Sequence, residues 1–115
     1  MPFYELLCIS RSQIGAANIR DLFKNSALSI IDRGGVVRGI SHFGISVLPH
    51  RIKRHQEYHE RGRYWLMHFD CNPVVLNDLT KSLNLDPRVL RHNIVKMDSS
   101  LKTYQYTHRS SAAID

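Results

Sequence analysis

The side chains best suited to chemistry in this sequence are concentrated in one basic segment, residues 50–63. The segment carries five arginine and lysine side chains against only two glutamates, Glu57 and Glu60. A guanidinium group forms planar, charge-assisted hydrogen bonds to phosphate, and tyrosine and histidine rings stack on unpaired bases. The pattern therefore predicts an RNA contact, for which the candidate residues are Arg51, Lys53, Arg54, His55, Arg61 and Arg63.

Apolar side chains are interleaved with these cations. Leu48 and Pro49 precede the basic segment, Ile52 and Tyr58 lie within it, and Tyr64 follows it. Phosphate offers nothing to an aliphatic side chain, so an apolar patch beside a basic loop favours a protein partner. These five residues are the candidate protein-partner surface, and we expect Ile52 and Tyr58 to lie outside the helix-covered core.

No set of residues in the sequence is typical of catalysis. No nucleophile motif surrounds any serine, and Gly34-Gly35 follows a predicted helix, whereas a phosphate-binding loop follows a strand. His68 lies in an apolar strand, where a hydrogen-bonded structural histidine is the commoner case. A metal-independent enzyme that uses His68 or His92 is an alternative, and it would need a pocket of converging polar groups.

The cysteines predict neither a metal nor a cofactor. Cys8 and Cys71 are far apart in sequence, and no cysteine accompanies the neighbouring His50, His55 and His59. Both thiols are therefore interpreted as reduced and half-buried, with a structural role.

Composition limits the class of protein. A chain of 115 residues corresponds to one domain, and its formal net charge of +6 favours a polyanionic partner. No apolar run approaches the roughly 18 residues of a membrane span, so we predict no membrane segment. The N-terminus has no basic stretch before its apolar run and is not typical of a secretory signal.

Hydrophobic periodicity predicts six elements. Strands are expected at 3–10, 36–48, 64–70 and 89–97, and helices at 16–32 and from Pro73 to about residue 83. Pro49 is predicted to end the second strand, which leaves residues 50–63 as a loop or a mobile hairpin tip. The domain is predicted at 1–98, with a basic hairpin at 49–63, and a polar tail at 99–115.

The order of elements predicts an α+β fold. Strand, helix, strand, strand, helix, strand is the βαββαβ order of a ferredoxin-like two-layer sandwich, in which a four-stranded antiparallel sheet carries two helices on one face. The second and fourth strands are the sheet edges, and the other face is open and apolar. A partner or the tail could cover that face. An alternative function is a small-molecule-binding regulatory or dimerisation domain that uses it as a dimer surface.

Several stretches resemble one family in order along the chain. The sequence is similar to the sixth protein of the bacterial-type small ribosomal subunit, and most similar to the mitochondrial members. The resemblance rests on residues 4–6, 32–39, 47–52, 62–66 and 86–96.

The resemblance implies a function as well as a fold. It implies a structural role without catalysis, binding to small-subunit rRNA in the platform, and pairing with small-subunit protein eighteen and other ribosomal proteins. It also implies a mitochondrial location, in the matrix and on the ribosome, with a bacterial-type cytoplasm as the alternative. No membrane and no small-molecule substrate are expected. Some mitochondrial relatives share a metal through a cysteine beyond the last strand, but no cysteine follows Cys71 here.

Overall fold

The computed structural model describes residues 1–97, so the predicted tail at 99–115 lies outside the described residues. The elements are β1 (Phe3–Arg11), α1 (Ala16–Ile31), β2 (Val36–Arg54), β3 (Glu57–Asp70), α2 (Pro73–Leu85) and β4 (Val89–Met97). All strand pairs are antiparallel, and the sheet order is β2-β3-β1-β4. The βαββαβ prediction is therefore confirmed, with β2 and β4 at the edges.

The main core lies between the sheet and the two helices. Alternating side chains of β1 and β3 point toward α1 and α2, as the period of two requires. The core side chains include Tyr4, Leu6, Cys8, Trp65, Met67 and Phe69 from the sheet, and Ile19, Leu22, Leu79 and Leu83 from the helices. Trp65 Nε1 donates to Ser10 Oγ at 3.0 Å, which satisfies a polar atom in an otherwise apolar layer.

Local sequence signals fix the helix ends. The Asn72 side chain accepts a hydrogen bond from the Val74 amide at 2.8 Å, and Pro73 occupies the first turn of α2, as predicted. After α1 the chain turns at Gly34, whose φ of 87° lies in the left-handed region that glycine adopts without strain.

The other face of the sheet carries a buried polar pair. Glu5 on β1 and His68 on β3 are 3% and 2% exposed, and their side chains are 2.9 Å apart. Phe3 stacks on His68, and Arg38 forms an ion pair with Asp70 nearby. This face is therefore not the continuous apolar surface that the dimerisation alternative assumed. His68 is hydrogen-bonded within the sheet, as predicted for a structural histidine.

The prediction that Pro49 ends the second strand is wrong. β2 continues through Pro49 to Arg54 and pairs with β3 up to a two-residue turn at His55 and Gln56, where both φ values are positive. Between the pairs Val47↔Arg61 and Ile52↔His59 the register shifts. Proline lacks an N–H, so this bulge accommodates it without a lost ladder hydrogen bond. Residues 50–63 are thus not a loop.

A second, smaller core lies beneath this hairpin. Leu48, Ile52 and Leu90 are buried together, with Ile9 and Tyr64 partly buried against them. The bulge bends the hairpin so that its apolar side chains meet the start of β4. Ile52 therefore lies outside the helix-covered core, as expected, but it is buried in this second core together with Leu48.

The two cysteines are buried in the main core region, and both are free thiols. Burial raises the pKa of the Cys8 thiol to about 12, because the thiolate would lose its hydration. Burial, together with the charge of Asp70, also raises the pKa of Cys71. The thiol form is therefore favoured at both positions.

We predict that Ile52→Ala destabilises the isolated domain. Ile52 is 7% exposed, so its truncation leaves a cavity and lowers the free energy of unfolding by about 2–4 kcal/mol. The matched control is Val47→Ala on the same strand, where the side chain is 66% exposed and the change stays within about 0.5 kcal/mol. Urea denaturation of both variants is the measurement, and equal losses would contradict the small core.

We also predict an alkaline loss of stability that depends on Cys8. The raised folded-state pKa means that stability is complete below the unfolded pKa and falls as the pH rises toward the folded value. Relative to Cys8→Ala, the wild type loses about 1.4 kcal/mol between about pH 8 and about pH 10. Urea denaturation under reducing conditions measures this difference. Parallel pH profiles for the two proteins would show that the Cys8 thiol ionises equally well in the folded state.

Candidate nucleic-acid interface

The tip of the basic hairpin is fixed to the body of the domain. The Arg54 guanidinium donates to the carbonyl oxygen of Asn84 at the end of α2, at 2.6 Å. On the opposite side, Arg11 donates to Glu57 Oε2 at 3.0 Å. Exposed contacts of this kind add little stability one by one, but with the small core they orient the hairpin. The tip therefore has contacts to the body of the domain on both sides, and its mobility stays a prediction.

Four of the six predicted RNA-binding residues point their charges or rings into solvent. They are Arg51, Lys53, His55 and Arg61. None of the four forms an ion pair with any residue within 1–97. Each is therefore available to a phosphate group without first breaking an internal salt bridge.

Arg54 and Arg63 are engaged inside the fold. Arg54 is half-buried on the Asn84 carbonyl, and Arg63 Nη1 lies 3.2 Å from His42 Nε2. Burial, and then the charge of Arg63, lowers the pKa of His42, which keeps the ring neutral and able to accept from the guanidinium. Of the six predicted RNA-binding residues, Arg54 and Arg63 are thus half-buried and bonded within the domain, whereas the other four are exposed.

The predicted protein-partner residues are also divided. Leu48 and Ile52 are buried in the small core, and Tyr64 is half-buried beside them. Pro49 and Tyr58 are exposed. The Arg51 guanidinium lies 4.2 Å from the centroid of the Tyr58 ring, in a cation–π contact that holds the ring at the surface.

Two features of this surface were missed from the sequence. Ile45 and Val47 expose their aliphatic side chains along the outer strand β2. In addition, the connection after β1 forms a groove with the hairpin, and the groove has a volume of about 540 Å³. No local signal marks these residues, because the groove joins parts of the chain that are roughly forty residues apart.

The histidines of the enzymatic alternative are both tied into the fold. His68 pairs with Glu5, and His92 Nε2 lies 2.8 Å from Asn84 Oδ1. Burial, followed by the charge of Arg54, lowers the pKa of His92. Within residues 1–97, no group of three or more histidine, cysteine or acidic side chains has an arrangement that could hold a metal ion. None of the helices in that range is long and apolar enough to cross a membrane.

Comparisons with known proteins identify one family. The family model described as ribosomal protein S6 matches residues 3–96. A small ribosomal subunit protein bS6m of Drosophila melanogaster is 31% identical over 98 residues, which cover 85% of this chain and 66% of that protein. The bS6m protein of Neurospora crassa is 33% identical over 101 residues, which cover 87% of this chain and 86% of that protein.

A solved structure supports the fold independently. The crystal structure of 30S ribosomal protein S6 from Thermotoga maritima matches with a TM-score of 0.75. The match covers 94% of this chain and 97% of that one, at 17% sequence identity. At that identity the likeness concerns the fold alone.

Proposed function

Because the chain belongs to the ribosomal protein S6 family, we propose that it is a structural component of the mitochondrial small ribosomal subunit. The members of this family are structural proteins and not enzymes. In this role it binds small-subunit rRNA in the platform together with small-subunit protein eighteen. The relatives that carry the mitochondrial name bS6m support a mitochondrial location, and within it we propose the matrix, on the ribosome.

One observation carries the RNA part of the proposal. Arg51, Lys53 and Arg61 project from a hairpin whose tip is fixed, and none of them has an acidic partner within residues 1–97. A fixed cation loses less entropy when it binds phosphate than one on a disordered loop. The net charge of the chain, +6, adds a long-range attraction to a polyanion.

The outer strand β2 supports the protein part. Ile45, Val47 and Pro49 are exposed in succession along this edge, and Tyr64 borders a shallow cavity that also contains Ile45. Aliphatic side chains at a sheet edge are suited to a protein and not to phosphate. We propose this edge, in place of the buried Leu48 and Ile52, as the contact for protein eighteen.

We predict that replacing Arg51, Lys53 and Arg61 by glutamine weakens binding to purified small-subunit rRNA. Each lost phosphate contact lowers the slope of log affinity against log salt by roughly 0.7–0.9, so the triple variant loses about 2 to 3 in slope. The matched control replaces the exposed helix cations Arg20, Lys24 and Lys81 by glutamine, which removes the same charge elsewhere. Filter binding at several salt concentrations is the measurement.

The same variants, tagged, test the role in the cell. The wild type and the helix triple variant should sediment with the small ribosomal subunit in a gradient, and the hairpin triple variant should be depleted from it. A wild-type chain that stays at the top of the gradient would refute the ribosomal role. Equal salt slopes for both triple variants would show that the hairpin only faces solvent.

We predict that Val47→Asp weakens the complex with protein eighteen. Val47 is exposed, so the change leaves the fold intact but places a charge on an apolar contact, at a cost of about 1–3 kcal/mol if the residue is an interface anchor. Val36→Asp, at the far end of the same strand and also exposed, is the control. A two-component titration, with a melting curve of each variant, checks this; identical affinities for both variants would exclude this edge.

A further inference from the structure

We infer that the groove between the β1–α1 connection and the basic hairpin holds one unpaired nucleotide of RNA. The inference rests on the proposed function, because it assumes that the hairpin binds RNA, and it specifies the kind of RNA. The groove is lined by Arg11, Ser12 and Gln13 on one side and by Arg51 and residues 57–61 on the other.

The groove exists because β1 is shorter than its neighbour. β1 pairs with β3 as far as Arg11↔Gly62, and β3 continues without a β1 partner to Glu57. The chain turns away at Ser12, which leaves a space of about 540 Å³ where β1 would otherwise extend. Sites for single small ligands have volumes of about 300–1,000 Å³, so one nucleotide fits this space.

An aromatic platform lines the groove. Tyr58 is 58% exposed, although the Arg51 guanidinium lies 4.2 Å from its ring centroid. The Lys53 ammonium also lies over this ring, 5.5 Å from its centroid. Both cations contact the ring, but more than half of Tyr58 stays exposed, so surface is left for a base to stack on. Base stacking on tyrosine needs a base that is free of its own helix, which already favours unpaired RNA over a duplex.

Two of the three arginines that line the groove are free of ion pairs within residues 1–97 and can bind a phosphate. Arg51 and Arg61 make no ion pair within residues 1–97, whereas Arg11 is held by Glu57. Phosphate binding therefore falls to Arg51 and Arg61 on the hairpin side. Gln13, on the opposite side, presents an amide that can both donate to and accept from a base edge.

Glu60 is the residue that distinguishes an unpaired nucleotide from a duplex. Glu60 is exposed, lines the same groove as the arginines and makes no ion pair with any residue in 1–97. A carboxylate repels a phosphate backbone, but it accepts hydrogen bonds from the amino groups of cytosine, adenine and guanine. In an RNA duplex the amino groups of cytosine and adenine face the deep, narrow major groove, which side chains cannot reach. We therefore assign to the groove an unpaired cytidine or adenosine, whose amino group can donate to the Glu60 carboxylate.

The test compares two RNA probes by fluorescence anisotropy. One is a fully paired RNA duplex of arbitrary sequence, and the other is the same duplex with a single bulged cytidine. The wild-type chain should bind the bulged probe at least about fivefold more tightly, which is the low end of what one stacked base contributes. A bulged uridine, which lacks the amino group, should give a smaller preference.

Variants separate this inference from simple charge attraction. Glu60→Ala should bind the paired duplex more tightly, because a repulsive charge is lost, yet its preference for the bulged cytidine should fall to within about twofold. Tyr58→Leu should lose the preference as well. Asp32→Ala removes an exposed carboxylate at the end of α1 and should keep the full preference. Melting curves show whether each variant is folded.

Two results would overturn the inference. One is a wild-type chain that binds both probes equally, and the other is a Glu60→Ala variant that behaves like Asp32→Ala. Neither result would contradict the proposed function, which is tested separately by sedimentation of the wild type with the small ribosomal subunit. Failure to sediment with the subunit would remove the ribosomal role, whatever the preference between the probes.

Discussion

The pairing of β2 with β3 is the constraint on which the surface of this protein depends. The ladder begins beside the core at Val36↔Asp70 and ends at the tip with Arg54↔Glu57. It is interrupted by register shifts, and the largest of them bends the outer half toward β4. Without that bend, Ile52 would have no apolar neighbours and Arg54 could not reach the end of α2. The position of every cation on the hairpin follows from this one ladder.

The main layer of the fold could be predicted from the sequence because its signals are local. Trp65, Met67 and Phe69 alternate with more polar residues, and Asn72 with Pro73 marks the start of a helix. The outer half of the hairpin has no such signal. Pro49 is typical of a strand end, and the charged residues after it do not alternate. Only the bulge, a tertiary feature, reconciles that proline with a continuous strand.

In the candidate site, too, some features follow from the local sequence and others depend on tertiary packing. The sequence predicts an RNA contact for the basic segment as a whole, and it treats all of the cations in that segment alike. Whether an arginine faces solvent or bonds to a carbonyl oxygen of a distant helix depends on where the hairpin lies. The burial of Leu48 and Ile52 has the same cause, since their partner Leu90 is about forty residues away in the sequence. The sequence pattern indicates which residue types occur in the hairpin, but the packing of the hairpin against the domain determines which of these residues are exposed.

The buried pair of Glu5 and His68 has a consequence for how the sheet assembles. Side chains alternate between the faces of a strand, so a slip of β1 by one residue would turn Glu5 toward the helices and Leu6 away from them. In the slipped sheet the carboxyl group would lie near Trp65 and Met67, without its histidine, at the cost of burying an unpaired polar group. Glu5 thus penalises misaligned pairings of the central strand more strongly than any apolar residue there could. A polar pair in the middle of a sheet serves here to specify its alignment.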